Sequence, residues 1–374
     1  MQKISDRNPY SDPITLKILL PMKKLLLPLI LFVFVLNGCV QRNEQPAIPQ
    51  NVIMLIGDGM GTAQVFALIA SKEDNAFMRF PVIGYILTES ADRFITESAA
   101  AGTALATGVR TNNNVVSLHP VTKEPLTTLV QSANARGLST GVIASCDITH
   151  ATPAAFLAHS THRRNYEEIA EGIVNTNPTL FIGGGRRHFE NRSDGRNLSD
   201  SLRTRGFQVL YTMDDILKTQ NPKIAGLLWD RHPPSVAGGR EDFLKPATLK
   251  AIELLGQNPN GFFLMAESAQ IDWLGHSNDF DGLIAEMKDF DKTIHAVLDF
   301  AKRDGNTLVI VVGDHETGGL TILARDNVMY PSFSTDDHSA VMVPVFAFGP
   351  GAERFAGIYK NTEIHRKVFE LLGL

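Results

Sequence analysis

The chain has 374 residues, a formal net charge of −5 and an isoelectric point near 6.1, with 44% hydrophobic and 20% charged residues. That balance is globular, allows a large core, and leaves no basic footprint for duplex nucleic acid. Two cysteines, Cys39 and Cys146, exclude a disulfide framework.

Residues 1–21 read as an upstream extension ahead of a second start at Met22. Residues 22–38 read as a signal peptide: Lys23-Lys24, the apolar run Leu25–Leu36, then Asn37-Gly38 before a cut. The run is too short to span a bilayer as a helix. Leu36-Asn37-Gly38-Cys39 resembles the lipobox of bacterial lipoproteins. That resemblance implies an acylated Cys39 and a periplasmic or outer-membrane-anchored protein; the alternative is a plainly cleaved signal with Cys39 incidental. Residues 39–50, rich in Pro, Asn and Gln, read as a tether, and 51–374 as one catalytic domain.

Asn51–Ile56 is a nearly continuous apolar run, the pattern of a central strand covered on both faces. It ends in Gly57-Asp58-Gly59-Met60-Gly61, and Thr62–Ala70 follows as a helix. The third glycine comes too soon for a dinucleotide fingerprint. Asp58 sits where open α/β sheets place ligands, and suits a cation rather than a bare phosphate. Phe94 and Ile95 read as a strand end and Ala99–Ala106 as a small-residue helix, which places Ser98 at the turn between them. There the first helical N–H groups lack partners and the helix dipole favours an anion. An N-cap serine is the plainer reading of Ser98 alone.

Thr127–Ala135 reads as a helix and Ser139–Ser145 as a buried strand. Thr149-His150-Ala151-Thr152 leads into a helix, Pro153–His159, and then to His162-Arg163-Arg164, where an arginine fork can clamp phosphate oxygens. Thr179–Ile182 reads as a strand, Gly183-Gly184-Gly185 as a loop allowing positive φ, and Arg186–Pro234 as short helices and turns without chemistry. Phe243–Leu255 is an amphipathic helix and Gly261–Ala266 a strand running into Glu267. Asp272 and His276, four apart, share a helical face with metal-ligand spacing. Leu283–Lys302 is a long helix, Thr307–Val312 an apolar strand followed at once by Asp314-His315, and His338 precedes the strand Val343–Phe348.

In a doubly wound sheet these residues converge on one edge. Carboxylates gathered there destabilise one another without cations; nitrogen and oxygen donors together suit zinc, and carboxylate with hydroxyl suits magnesium. The ordered segments GDGMG, TESAAAGTALATG, THATPAAFLAH, ESAQIDWLGH, GDHETGG and TDDHSAVMVPVFAFGPGA resemble the alkaline phosphatases from about Asn51 to the C-terminus.

The resemblance implies a three-layer α/β/α fold with a large, mostly parallel sheet. It implies hydrolysis of phosphate monoesters at alkaline pH through a phosphoserine at Ser98, with inorganic phosphate as product, two zinc ions and one magnesium, and a homodimer. Asp272, His276 and His338 resemble the first zinc set, and Asp58, Asp314 and His315 with Ser98 the second. Asp58, Thr152 and Glu267 resemble the magnesium set, and Arg163 the phosphate-binding arginine. Three positions depart from the family's usual pattern. Glu97 replaces an aspartate before the nucleophile and puts the placement of Arg163 in question. His150 replaces an aspartate beside the magnesium. Trp273 replaces Lys or His near the phosphate, which implies weaker product inhibition. Rival readings are a phosphodiesterase or sulfatase of the same superfamily, or a silent metal-binding lipoprotein.

Overall fold

The computed structural model describes residues 48–374 apart from 72 and 327; the expectations for the extension, the signal and Cys39 lie outside the described residues. From Pro46 onward the chain forms one compact unit. Among the described residues no helix is long and apolar enough to cross a membrane.

The strands, in chain order, are β1 (Asn51–Gly57), β2 (Val82–Leu87), β3 (Ser139–Asp147), β4 (Leu180–Gly184), β5 (Gln208–Leu210), β6 (Ile224–Leu227), β7 (Phe262–Ser268), β8 (Thr307–Gly313), β9 (Glu316–Thr317), β10 (Leu320–Arg325), β11 (Val328–Phe333), β12 (His338–Ser339), β13 (Val343–Phe348) and β14 (Gly357–Lys360). Ten of them form one sheet, ordered β14-β2-β13-β8-β1-β7-β3-β4-β6-β5. Only β13 runs against its neighbours, β2 and β8. The helices that matter for the site are α1 (Thr62–Ser71), α2 (Ser98–Thr107), α3 (Ala151–Leu157), α4 (Leu244–Leu255), α5 (Gln270–His276) and α6 (Phe280–Asp304).

Strand β1 shows why the fold has three layers. Every one of its residues is buried. Val52, Met54 and Ile56 enter one core, with Ala99 and Leu105 of α2 and Ala154 and Phe156 of α3. Ile53 and Leu55 enter the other, with Leu68 of α1, Ala251 of α4 and Phe290 of α6. Side chains alternate across a strand, so a strand apolar at every position must be covered on both faces. The long helix α6 is delimited by its own chemistry: Asp279 accepts from Gly282 N at its start, and Gly305 closes it in the left-handed conformation at φ 73°.

Some local expectations are corrected. Phe94 and Ile95 are not a strand; they lie exposed in a bend, Phe94 being 81% accessible. Of the three glycines expected in a loop, Gly183 and Gly184 belong to β4 and only Gly185 takes positive φ. The stretch Arg186–Pro234 contributes β5 and β6 to the sheet.

Candidate active site

Register builds the floor of the site. Gly57 of β1 pairs with Ser268 of β7 on one side and with Gly313 of β8 on the other. Asp58 and Asp314 therefore leave the sheet level with each other, and Glu267 stands one step back, opposite Ile56. Asp58 N–H donates to Ser268 O at 3.1 Å. Asp314 Oδ1 accepts from the N–H groups of Gly59 (3.1 Å) and His315 (2.9 Å), which turns Oδ2 toward the site. Gly59 is required here: its φ is +75°, and a Cβ on it would stand 2.7 Å from Asp272 Cα.

Three imidazoles present Nε2 inward because each Nδ1 faces an acceptor behind it. His276 Nδ1 meets Asp336 O at 2.7 Å, His338 Nδ1 meets Thr96 O at 2.9 Å, and His315 Nδ1 meets Thr317 Oγ1 at 3.3 Å. Such partners fix the tautomer and ring direction of a metal-binding histidine. On the inner side, Asp272 Oδ1 lies 3.4 Å from His276 Nε2 and 3.4 Å from His338 Nε2, and these two nitrogens are 3.1 Å apart. Around His315 Nε2, Asp58 Oδ1 and Asp314 Oδ2 each lie at 3.4 Å and Ser98 Oγ at 3.3 Å. Tetrahedral ligands at about 2.0–2.1 Å from zinc stand roughly 3.3 Å from one another. Both sets have that spacing.

Electrostatics give the same reading. Both oxygens of Asp58, Oδ2 of Asp314, Oε1 of Glu267 and Oγ1 of Thr152 are buried without a hydrogen-bond partner. Orphaned buried acceptors cost stability unless something outside the protein satisfies them. Burial, then the charges of Asp314, Asp272 and Glu267, push the Asp58 carboxyl well above the carboxylate range. Burial and Asp314 push Glu267 up to about 8; burial and Asp272 push Asp314 up to about 7. Burial opposes the protonation of His338, yet its hydrogen bond to Asp272 raises it to about 9. Burial and the His338 charge hold His315 well below the usual imidazole value. A divalent cation removes this frustration by favouring every ionised carboxylate and neutral imidazole together.

Ser98 is the first residue of α2, not its cap. Glu97 caps the helix, its carboxylate accepting from Ala99 N (3.0 Å) and Ala100 N (2.9 Å). The first-turn N–H groups expected to face an anion are thus already taken. The same carboxylate accepts from Asn114 N at 2.7 Å and pairs with Arg163 Nη1. Glutamate at this position therefore does reach the arginine, which is largely buried and lines the cleft with Ser98, Glu97, His150, Asp272, Trp273, His276 and His338. The cleft measures about 610 Å³. Burial, then the adjacent Arg163, hold His150 well below the usual imidazole value, so it adds no positive charge. Trp273 stands edge-on to His150, with ring centroids 5.8 Å apart. Arg164, by contrast, is exposed and lines the neighbouring cavity.

The structure brings all the expected site residues to one edge of the sheet. It adds others that the sequence reading passed over. Thr317 donates to Asp272 Oδ1, and Glu316 accepts from Gln64, Ser339 and the N–H groups of Gly319 and Leu320, fixing the loop that carries His315. Asp337 approaches His276 and His338 closely enough to share a metal with them. Cys146 Sγ donates to Glu267 Oε2 at 3.4 Å. The charged run Asp336-Asp337-His338 was the available signal for Asp337; Thr317 and Cys146 carried none, since each acts on a partner distant in sequence.

A serine at a helix start, a buried arginine and two cation-sized donor sets on a mostly parallel sheet define a metal-dependent hydrolase of phosphoric esters. Residues 49–334 match the family model described as alkaline phosphatase. The chain is 31% identical to alkaline phosphatase 4 of Bacillus subtilis (strain 168) over 88% of this chain and 90% of that protein. It resembles the solved alkaline phosphatase of the Antarctic bacterium TAB5 at 40% identity and a TM-score of 0.83, covering 87% of this chain and 98% of that one. The cold-active enzyme of Shewanella sp. aligns at 30% identity and a TM-score of 0.81, covering 86% and 99%. The chain belongs to the alkaline phosphatase family and is a metal-dependent phosphoric monoester hydrolase.

Proposed function

We propose that Ser98 is the nucleophile of monoester hydrolysis, with a phosphoserine intermediate, and that the observation carrying this is the 3.3 Å approach of Ser98 Oγ to His315 Nε2 within a tetrahedrally spaced donor set. Asp272, His276 and His338 would hold one zinc; Asp58, Asp314 and His315, with Ser98, a second. Asp58, Thr152 and Glu267 would hold magnesium, a reading supported by their unpartnered oxygens; a variant of the TAB5 enzyme is known with magnesium in its M3 site. When bound, such cations lower the pKa of hydroxyls and water beside them and neutralise charge growing on attacking and leaving oxygens.

The protein's own groups do the rest. Ser98 Oγ forms the bond to phosphorus as the ester P–O bond breaks and the alcohol departs; water then cleaves the phosphoserine. Arg163, fixed by Glu97, offers its planar fork to two non-bridging oxygens. Removing the nucleophile tests this directly. Ser98→Ala is expected to lose at least about a thousandfold in kcat on a chromogenic monoester, on the scale of losing a catalytic group. Activity in the wild type should vanish with chelator and return with zinc plus magnesium. Near-normal turnover by Ser98→Ala would overturn the assignment.

Export, acylation at Cys39 and a periplasmic or outer-membrane-anchored location are likewise our reading of the leader sequence. Mass spectrometry of the membrane fraction tests it: an unmodified Cys39 rejects the anchor. A homodimer is proposed from the family alone, and sedimentation of the intact enzyme tests it.

A further inference from the structure

Beside the cleft lies a second cavity of about 670 Å³, within the range of small-molecule sites. Its lining includes Asp147, His188, His232 and three arginines, Arg164, Arg187 and Arg231. A wall of rings separates it from the cleft: His232 lies 4.7 Å from Trp273 and 5.5 Å from His150, centroid to centroid, and those two rings line the cleft. Consecutive arginines serve the two spaces, Arg163 lining the cleft and Arg164 the second cavity.

The charges here are unevenly committed. Glu167 gives both carboxylate oxygens to Ser193, and Glu168 accepts from Ser160 and Asn165. Asp147 is buried against His232 Nδ1 at 3.1 Å, with His188 Nδ1 at 3.9 Å. Among the described residues, the guanidinium groups of Arg164, Arg187 and Arg231 make no hydrogen bond and no ion pair. Three uncommitted planar forks around one cavity match the oxygens of a phosphate-like dianion, and a single ring layer divides them from the groups that hold the ester phosphate.

We propose that this cavity is a second anion subsite, occupied by the leaving alcohol, and that the preferred substrates are monoesters whose alcohol carries a second phosphate or phosphonate group. The subsite rests on the cleft being the site of phosphoryl transfer. Binding energy gathered there acts on a part of the substrate that does not react, so it lowers KM for doubly anionic esters.

The test uses the metal-loaded enzyme and a length series of alkyl phosphates ending in a phosphonate, which is not hydrolysed, or in a methyl group. The wild type is expected to show a KM about tenfold lower for the phosphonate-ended ester at one chain length, the scale of one charge-assisted hydrogen bond. The variant Arg164→Gln/Arg187→Gln/Arg231→Gln should lose that preference and keep wild-type turnover of the methyl-ended ester. No preference at any length, or a preference that survives the triple substitution, overturns the subsite. Should the triple variant fail to fold, Arg231→Gln alone, at an exposed position, must reduce the preference or the proposal falls. Absence of hydrolysis of both esters would instead sink the reading of the cleft, and the subsite with it.

Discussion

Glu97 holds Arg163, caps α2 through two backbone amides and ties down Asn114, all with one carboxylate. The phosphate therefore meets a helix whose leading amides are already satisfied, and its charge is left to Arg163 and the cations. The neighbouring Trp273 adds no charge of its own to the cleft. A lysine in its place would add a cation beside Arg163, tightening product as well as substrate. Trp273→Lys is expected to lower the inhibition constant of inorganic phosphate by about tenfold, one charge-assisted contact at the modest end of its range. Equal constants in variant and wild type would show that residue 273 does not face the phosphate.

At the scale of elements, the packing of α2 on α3 sets the position of Thr152. A Cβ on Gly102 would lie 3.1 Å from Ala155 Cβ and 3.4 Å from Thr152 Cα, so the run of alanines and glycine in α2 is what allows the two helices to approach. Gly102→Val is expected to cost about 1–3 kcal/mol by overpacking and to displace α3. Thermal unfolding reads the first effect. A raised magnesium concentration for half-maximal activity reads the second, and an unchanged one would detach Thr152 from magnesium binding. Elements of this kind were legible in the sequence when one chemistry dominated them. β1, β3, β7 and β8 are buried on both faces and read as unbroken apolar runs. β2, only partly buried, and the short β5 and β6 did not stand out, and neither did the largely exposed hairpin β10–β11. Phe94 and Ile95 misled for the opposite reason: β-forming side chains here form a lip of the cleft.

For the whole molecule, metal and stability are one problem. In the metal-free protein Glu267 holds its proton to about 8, Asp314 to about 7, and His338 stays charged to about 9. The unfolded chain has released all of these protons by pH 7. Between pH 7 and 9 the native state therefore binds more protons than the unfolded one, and its stability falls as pH rises. His315 and His150, depressed in the fold, add nothing in this window, since both states carry them neutral. The melting temperature of chelated enzyme is expected to drop from pH 7 to pH 9, and zinc plus magnesium should flatten that slope. Parallel slopes with and without chelator would separate the cluster from stability. Most of the ligand set was legible because each member directly follows a buried strand or sits in a short motif. Thr317, Glu316 and Cys146 were not, because their importance exists only once strands far apart in the chain lie side by side.

The level alignment of β1 with β7 and β8 makes chain length, as well as residue identity, a determinant of activity. A strand advances about 3.3 Å per residue and sends successive side chains to opposite faces. One codon inserted within β1 would thus carry Asp58 past Asp314 by a full ligand spacing while leaving the inventory of donors intact. Descendants of this enzyme can lengthen freely where the backbone is remote from that rim, but a single-residue indel in any of these three strands should be as damaging as deleting a ligand.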